Sequence, residues 1–167
     1  MRRSWTAFAL LIALVNPSAV RSDSLPRALA GTWHGYGQVR GMQAVQCMTW
    51  SEDLEGRFTR LELESRLTPE DGAVWIFRAH AYYRSDPEGQ ISGYWFDSRG
   101  AHFPLHGNGS DASMIIDWGT PALEQGRSEY RLVGGWLRVT DSVLGQDGNY
   151  HVFGRTMLRA HSCDVSD

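Results

Sequence analysis

Six histidines, two cysteines and a scatter of carboxylates are the residues of this 167-residue chain whose types could do chemistry. Their spacing narrows what chemistry is open. His102 and His106 invite a metal reading, but four residues of straight strand span roughly 13 Å, whereas zinc holds each His nitrogen at about 2.0–2.1 Å. Only a sharp bend at Pro104 would unite them, so the pair reads as two surface histidines. His80 alternates with Arg78 and Tyr82 and belongs to a polar face. Glu62 and Glu64 share a strand face with Arg60 and Arg66, a solvated charge ladder rather than an acid/base pair. Asn108-Gly109-Ser110-Asp111 reads as a turn, not as the strained corner of a hydrolase nucleophile. It is also a glycosylation sequon, relevant only in a eukaryotic secretory pathway. Gly31 to Gly37 opens a strand and is not a dinucleotide-binding turn. All 16 basic residues are Arg, which excludes Schiff-base and phosphate-loop lysines. A net charge of −3 gives no electrostatic case for nucleic acid. No catalytic constellation emerges.

The N-terminus places these residues in a compartment. Arg2 and Arg3 precede an uncharged apolar run, Trp5 to Val15, followed by Pro17 and small residues. That order is an export signal, and the run is too short to span a bilayer, which takes about 20 residues. Cleavage after Ser22 is expected, leaving residues 23–167 as one domain with no stable membrane anchor, periplasmic or secreted. Losing Arg2, Arg3 and Arg21 takes the 16 basic residues to 13 against 19 acidic, a net −6. In an oxidising compartment Cys47 and Cys163 are expected to pair as a disulfide.

The elements that must position these groups are strands. Short alternating runs are broken by turn residues, and no long segment has helical periodicity. Expected strands are 31–39, 44–51, 57–66, 73–83, 90–96, 101–106, 113–118, 128–133, 136–143 and 150–159. Asn108-Gly109, Gly134-Gly135 and Asp147-Gly148 are expected hairpin turns, and Thr120–Arg127 an expected loop at a barrel mouth. Ten hairpin-linked strands leave exposed edges unless the sheet closes. The fold class is therefore all-β, an antiparallel ten-stranded up-and-down barrel. Trp75, Phe77, Ala79, Ala81 and Tyr83 share one face of their strand, a mixture of large and small residues that permits a cavity.

Gly31-Thr32-Trp33-His34-Gly35-Tyr36-Gly37 resembles the opening of the nitrobindin-like barrels and of related bacterial proteins in the lipocalin-like (calycin) group. The runs Gly93–Gly100 and Val152–Arg159 are similar to later segments of those bacterial relatives. The resemblance implies a ten-stranded barrel with an internal pocket. It also implies that Trp33 closes one end beneath Arg155 or Arg159, an indole under a planar guanidinium. Gly35 and Gly37 would then let the first strand bend at that end. In nitrobindins a His on the last strand ligates haem iron, and by strand position His151 corresponds to it. If His151 points inward, Phe153, Arg155 and Met157 follow it; if outward, Tyr150, Val152, Thr156 and Leu158 line the interior.

Three functions remain open at this point. One is a non-catalytic lipocalin-like barrel, monomer or homodimer, binding a small and mostly apolar molecule against Trp75, Phe77, Tyr94 and Trp136. A second is a haem protein with His151 on the iron, acting on reactive nitrogen species by peroxynitrite isomerisation as the resemblance implies. The third is an envelope interaction module whose barrel is solid.

Overall fold

The computed structural model describes residues 24–163. The expected leader, residues 1–22, lies outside the described residues. Ten antiparallel strands follow a single helical turn, α1 (Leu25–Ala28): β1 (Gly31–Val39), β2 (Met42–Asp53), β3 (Phe58–Thr68), β4 (Trp75–Ser85) and β5 (Gln90–Asp97). The second half comprises β6 (His102–Gly109), β7 (Ser113–Gly119), β8 (Gln125–Val133), β9 (Trp136–Leu144) and β10 (Tyr150–Ala160). Each strand pairs with the next, and β1 pairs with β10, so the sheet closes into a barrel. All ten expected strands are present. Asn108-Gly109, expected as a turn, ends β6 instead, and Gln125–Arg127, expected in a loop, starts β8. In both places ladder pairing wins over turn-prone residues: Asn108 pairs with Ile115, and Arg127 pairs with Asp117 on β7 and Ser142 on β9.

Alternation sorts the residues as period two requires. On β9, Leu137 and Val139 are buried while Arg138 is exposed; on β10, Gly154, Thr156 and Leu158 are buried while Arg155, Met157 and Arg159 are exposed. A register shift between Val152 and Gly154 lets Phe153 turn inward. At the β1–β10 ladder, any Cβ at Gly35 would collide with the Met157 carbonyl. Glycine is what allows the two strands to approach there.

One end of the barrel is packed solid. Leu25 and Leu29 enter it fully buried and meet Trp33, Trp50, Leu61, Leu137 and Leu158. Burying each leucine contributes roughly 1.5–3 kcal/mol. Four polar contacts hold this stopper. The Leu25 N–H donates to the Ser110 carbonyl at 2.7 Å. The Arg27 guanidinium donates to the Gly56 carbonyl at 2.8 Å and pairs with Glu52 at 3.1 Å. The Trp33 indole N–H donates to the Leu29 carbonyl at 2.8 Å.

Cys47 on β2 and Cys163, just past β10, form a disulfide with a Cα separation of 5.7 Å. The pairing expected from the sequence is present.

Candidate functional site

The opposite end of the barrel is hollow. The β1–β2 turn, the β3–β4 and β7–β8 loops, and the β5–β6 and β9–β10 turns surround its mouth. Inside lies a cavity of about 130 Å³, close to the size of an engineered apolar cavity that admits one benzene ring. The barrel is not solid.

Its walls are aromatic. Trp75 and Phe77 on β4 meet edge to face at 6.0 Å between ring centroids, and Phe77 stacks against Trp95 of β5 at 6.4 Å. Phe103 on β6 lies 5.6 Å from Trp118 on β7, which in turn meets Phe153 of β10 at 6.5 Å. Trp118 reaches that far because its ring lies over Gly126 of β8, where a Cβ would occupy the ring's place. Deeper in, Trp50 stacks on Tyr83 at 5.4 Å and meets Tyr130 edge-on at 5.9 Å.

Three charged side chains cross the rim. Arg40 of the β1–β2 turn lies 5.0 Å over the Phe153 ring, and Arg99 of the β5–β6 turn lies 5.6 Å over Phe77. Glu124 of the β7–β8 loop reaches both, at 3.4 Å to Arg40 and 4.0 Å to Arg99. Arg99 is anchored by Asp97 at 2.7 Å. Burial alone would raise the Asp97 carboxyl, but its hydrogen bonds to Arg99 outweigh that and hold it below the usual carboxylate range. Across Arg40, Arg99, Asp97 and Glu124 the rim is charge-balanced.

The cavity wall carries one further carboxylate. Asp141 of β9 accepts a hydrogen bond from the Ser128 hydroxyl at 2.6 Å, and it has no partner in any ion pair among the described residues. Burial pushes its pKa up to about 6, with the Ser128 bond opposing the rise. Burial also raises the Tyr83 and Tyr130 phenols, so both remain neutral donors near that carboxylate. Gln46 on β2 donates weakly to the Ser65 hydroxyl at 3.4 Å, and its Oε1 is buried without a partner.

The residues expected from the sequence divide between the two faces of the wall. Trp75 and Phe77 line the cavity. Tyr94 is 56% exposed, because its neighbour Trp95 takes the inward position. Trp136 is also outside, since β9 turns Leu137, Val139 and Asp141 inward; Arg159 stacks on its outer face at 3.7 Å. Trp33 is buried at the closed end, yet neither Arg155 nor Arg159 covers it: both face outward, and α1 stands in that place. His151 is exposed, its Nε2 2.9 Å from Asp147 in the β9–β10 turn. It does not line the cavity, nor does any other histidine. The imidazole that the resemblance would put on a haem iron is therefore missing from the cavity, and the residues there do not fit that reading. His102 and His106 are both exposed on β6, and no group of three metal-binding side chains occurs among the described residues.

Sequence reasoning did not single out Asp141, Trp95, Phe103 or Trp118, and it turned Phe153 inward only together with His151. For Asp141 a signal exists: it continues the parity of Leu137 and Val139, an acid on an apolar strand face.

No family model matches the chain, and no curated protein matches it. Among solved structures, the crystal structure of Rv2717c from M. tuberculosis is similar, with a TM-score of 0.63 and 14% identity over 81% of this chain and 94% of that one. The likeness shows a shared barrel fold.

Proposed function

We propose that this chain is an exported, non-catalytic barrel that binds a small, largely apolar molecule in the mouth cavity. One observation carries the reading: a preformed hollow whose walls are tryptophan and phenylalanine rings, open at one end and stoppered at the other. Binding sites for small molecules are concave and mostly apolar, with a few polar groups that fix orientation. The disulfide supports an oxidising, extracytoplasmic location. With His151 outside, the haem reading has no ligand to stand on. With a cavity present, the solid-barrel reading loses its premise.

The test uses indole as a neutral probe of one-cavity size and follows the tryptophan side-chain N–H signals by NMR. Indole is expected to shift Trp95 and Trp118 and to leave Trp33 and Trp136 in place. Shifts confined to Trp136, or none at millimolar indole, would overturn the proposal.

A further inference from the structure

The cavity is not uniformly apolar: below the rim arginines its wall carries Asp141, Gln46, the Ser65 and Ser128 hydroxyls and the Tyr83 and Tyr130 phenols. Asp141 is a carboxylate with a single short hydrogen bond from Ser128 and no cation beside it. The charged groups nearest the mouth do not supply one. Arg99 is committed to Asp97 and Glu124, and Arg40 to Glu124. One side-chain atom on the cavity wall is buried without a partner, Gln46 Oε1, and it too is an acceptor. Beside its hydroxyls, the hollow therefore offers an open acceptor, one negative charge with no cation beside it, and aromatic faces. A half-buried carboxylate on an aromatic wall with no positive partner is costly to maintain unless something completes it.

An ammonium group answers each of these features. It brings three donors and no acceptor, neutralises the carboxylate, and is attracted to the faces of tryptophan and phenylalanine rings. A carboxylate ligand would meet the opposite conditions: it would repel Asp141 and have to displace Glu124 from two arginines. Resting on the binding reading above, we propose that the ligand class is a small organic amine, its ammonium group held by Asp141 and its ring or chain packed among Trp95, Phe103, Trp118 and Phe153.

The test compares three near-isosteric compounds on the mature, disulfide-bonded chain at pH 7.5, with the same tryptophan NMR readout. They are 2-phenylethylamine, 2-phenylethanol and 3-phenylpropanoate. A charge-assisted hydrogen bond corresponds to roughly a ten- to hundredfold difference in affinity, so the amine is expected to bind more tightly than the alcohol by about that factor. Asp141→Asn is expected to erase the amine preference, the amine's affinity falling to that of the alcohol. The Asn amide keeps the shape and can still accept from Ser128, so the variant separates charge from packing. Equal affinity for amine and alcohol in the wild type overturns the proposal. So does an amine preference that survives Asp141→Asn. Tightest binding of 3-phenylpropanoate overturns it too, and moves the charge recognition to Arg40 and Arg99. If indole shifts Trp95 and Trp118 but the amine is not preferred, the cavity stands as a binding site and only the amine assignment falls. If neither indole nor any of the three compounds shifts them, both readings fall.

Discussion

Asp141 makes the ligand-free barrel less stable at neutral pH than in mild acid. Its carboxyl titrates near 3.8 when free and at about 6 in the folded chain, the rise caused by burial. Between those values the folded chain keeps a proton that the unfolded chain has lost, so stability falls as pH rises through this interval. The contribution is fully present below pH 3.8 and gone above about 6. A shift of that size is worth on the order of 3 kcal/mol. Asp141→Asn removes the ionisation and retains an acceptor for Ser128, so the variant should be more stable than wild type at pH 7.5 by roughly 1–3 kcal/mol. At pH 4 the two should be nearly equal. Urea unfolding of both proteins at pH 4, 5, 6 and 7.5, without ligand and with disulfides intact, measures the difference directly. Curves of wild type and variant that run parallel across that range would refute the argument, because Asp141 would then titrate alike in the folded and unfolded chains.

Trp33→Ala should leave a void at the closed end, lowering stability by about 3–5 kcal/mol as large-to-small core changes do; indole binding at the mouth should persist wherever the variant is folded, which calorimetry and the NMR titration check on one sample. Thiol titration of denatured, unreduced protein should find no free thiol. Cys47→Ser with Cys163→Ser should lower the melting temperature, the lost loop constraint being worth up to about 4–5 kcal/mol.

The strands were legible because their signals are local. Alternation and turn residues repeat along the whole chain, and closure follows from the need to leave no open edge. The assignment of faces was less legible, because a shift of one residue reverses it. On β4 the run from Trp75 to Tyr83 declares its inward side through the buried Ala79 and Ala81, and Trp75 and Phe77 share that side at the cavity. On β5 three aromatics stand in a row, Tyr94, Trp95 and Phe96, and nothing local says which faces in. On β10 the irregularity at Val152 to Gly154 breaks the parity that linked His151 to the rest of the strand. The stopper was hidden for another reason. Leu25 and Leu29 belong to a single helical turn beside the expected leader, too short for periodicity to register, and the role assigned to an arginine over Trp33 falls to them.

The bond between Cys47 and Cys163 joins positions 116 apart in the sequence, and the stretch between them includes every mouth segment except the β1–β2 turn. A single peptide-bond cut in the β3–β4 or β7–β8 loop therefore releases no fragment; the two pieces stay joined through sulfur and through the ladders on either side. Where proteases act on loop tips, such a molecule stays joined after a nick at the rim of its own cavity. The same tether lets those loops differ in length and composition, and so in what the mouth admits, while the wall beneath them stays one covalent body.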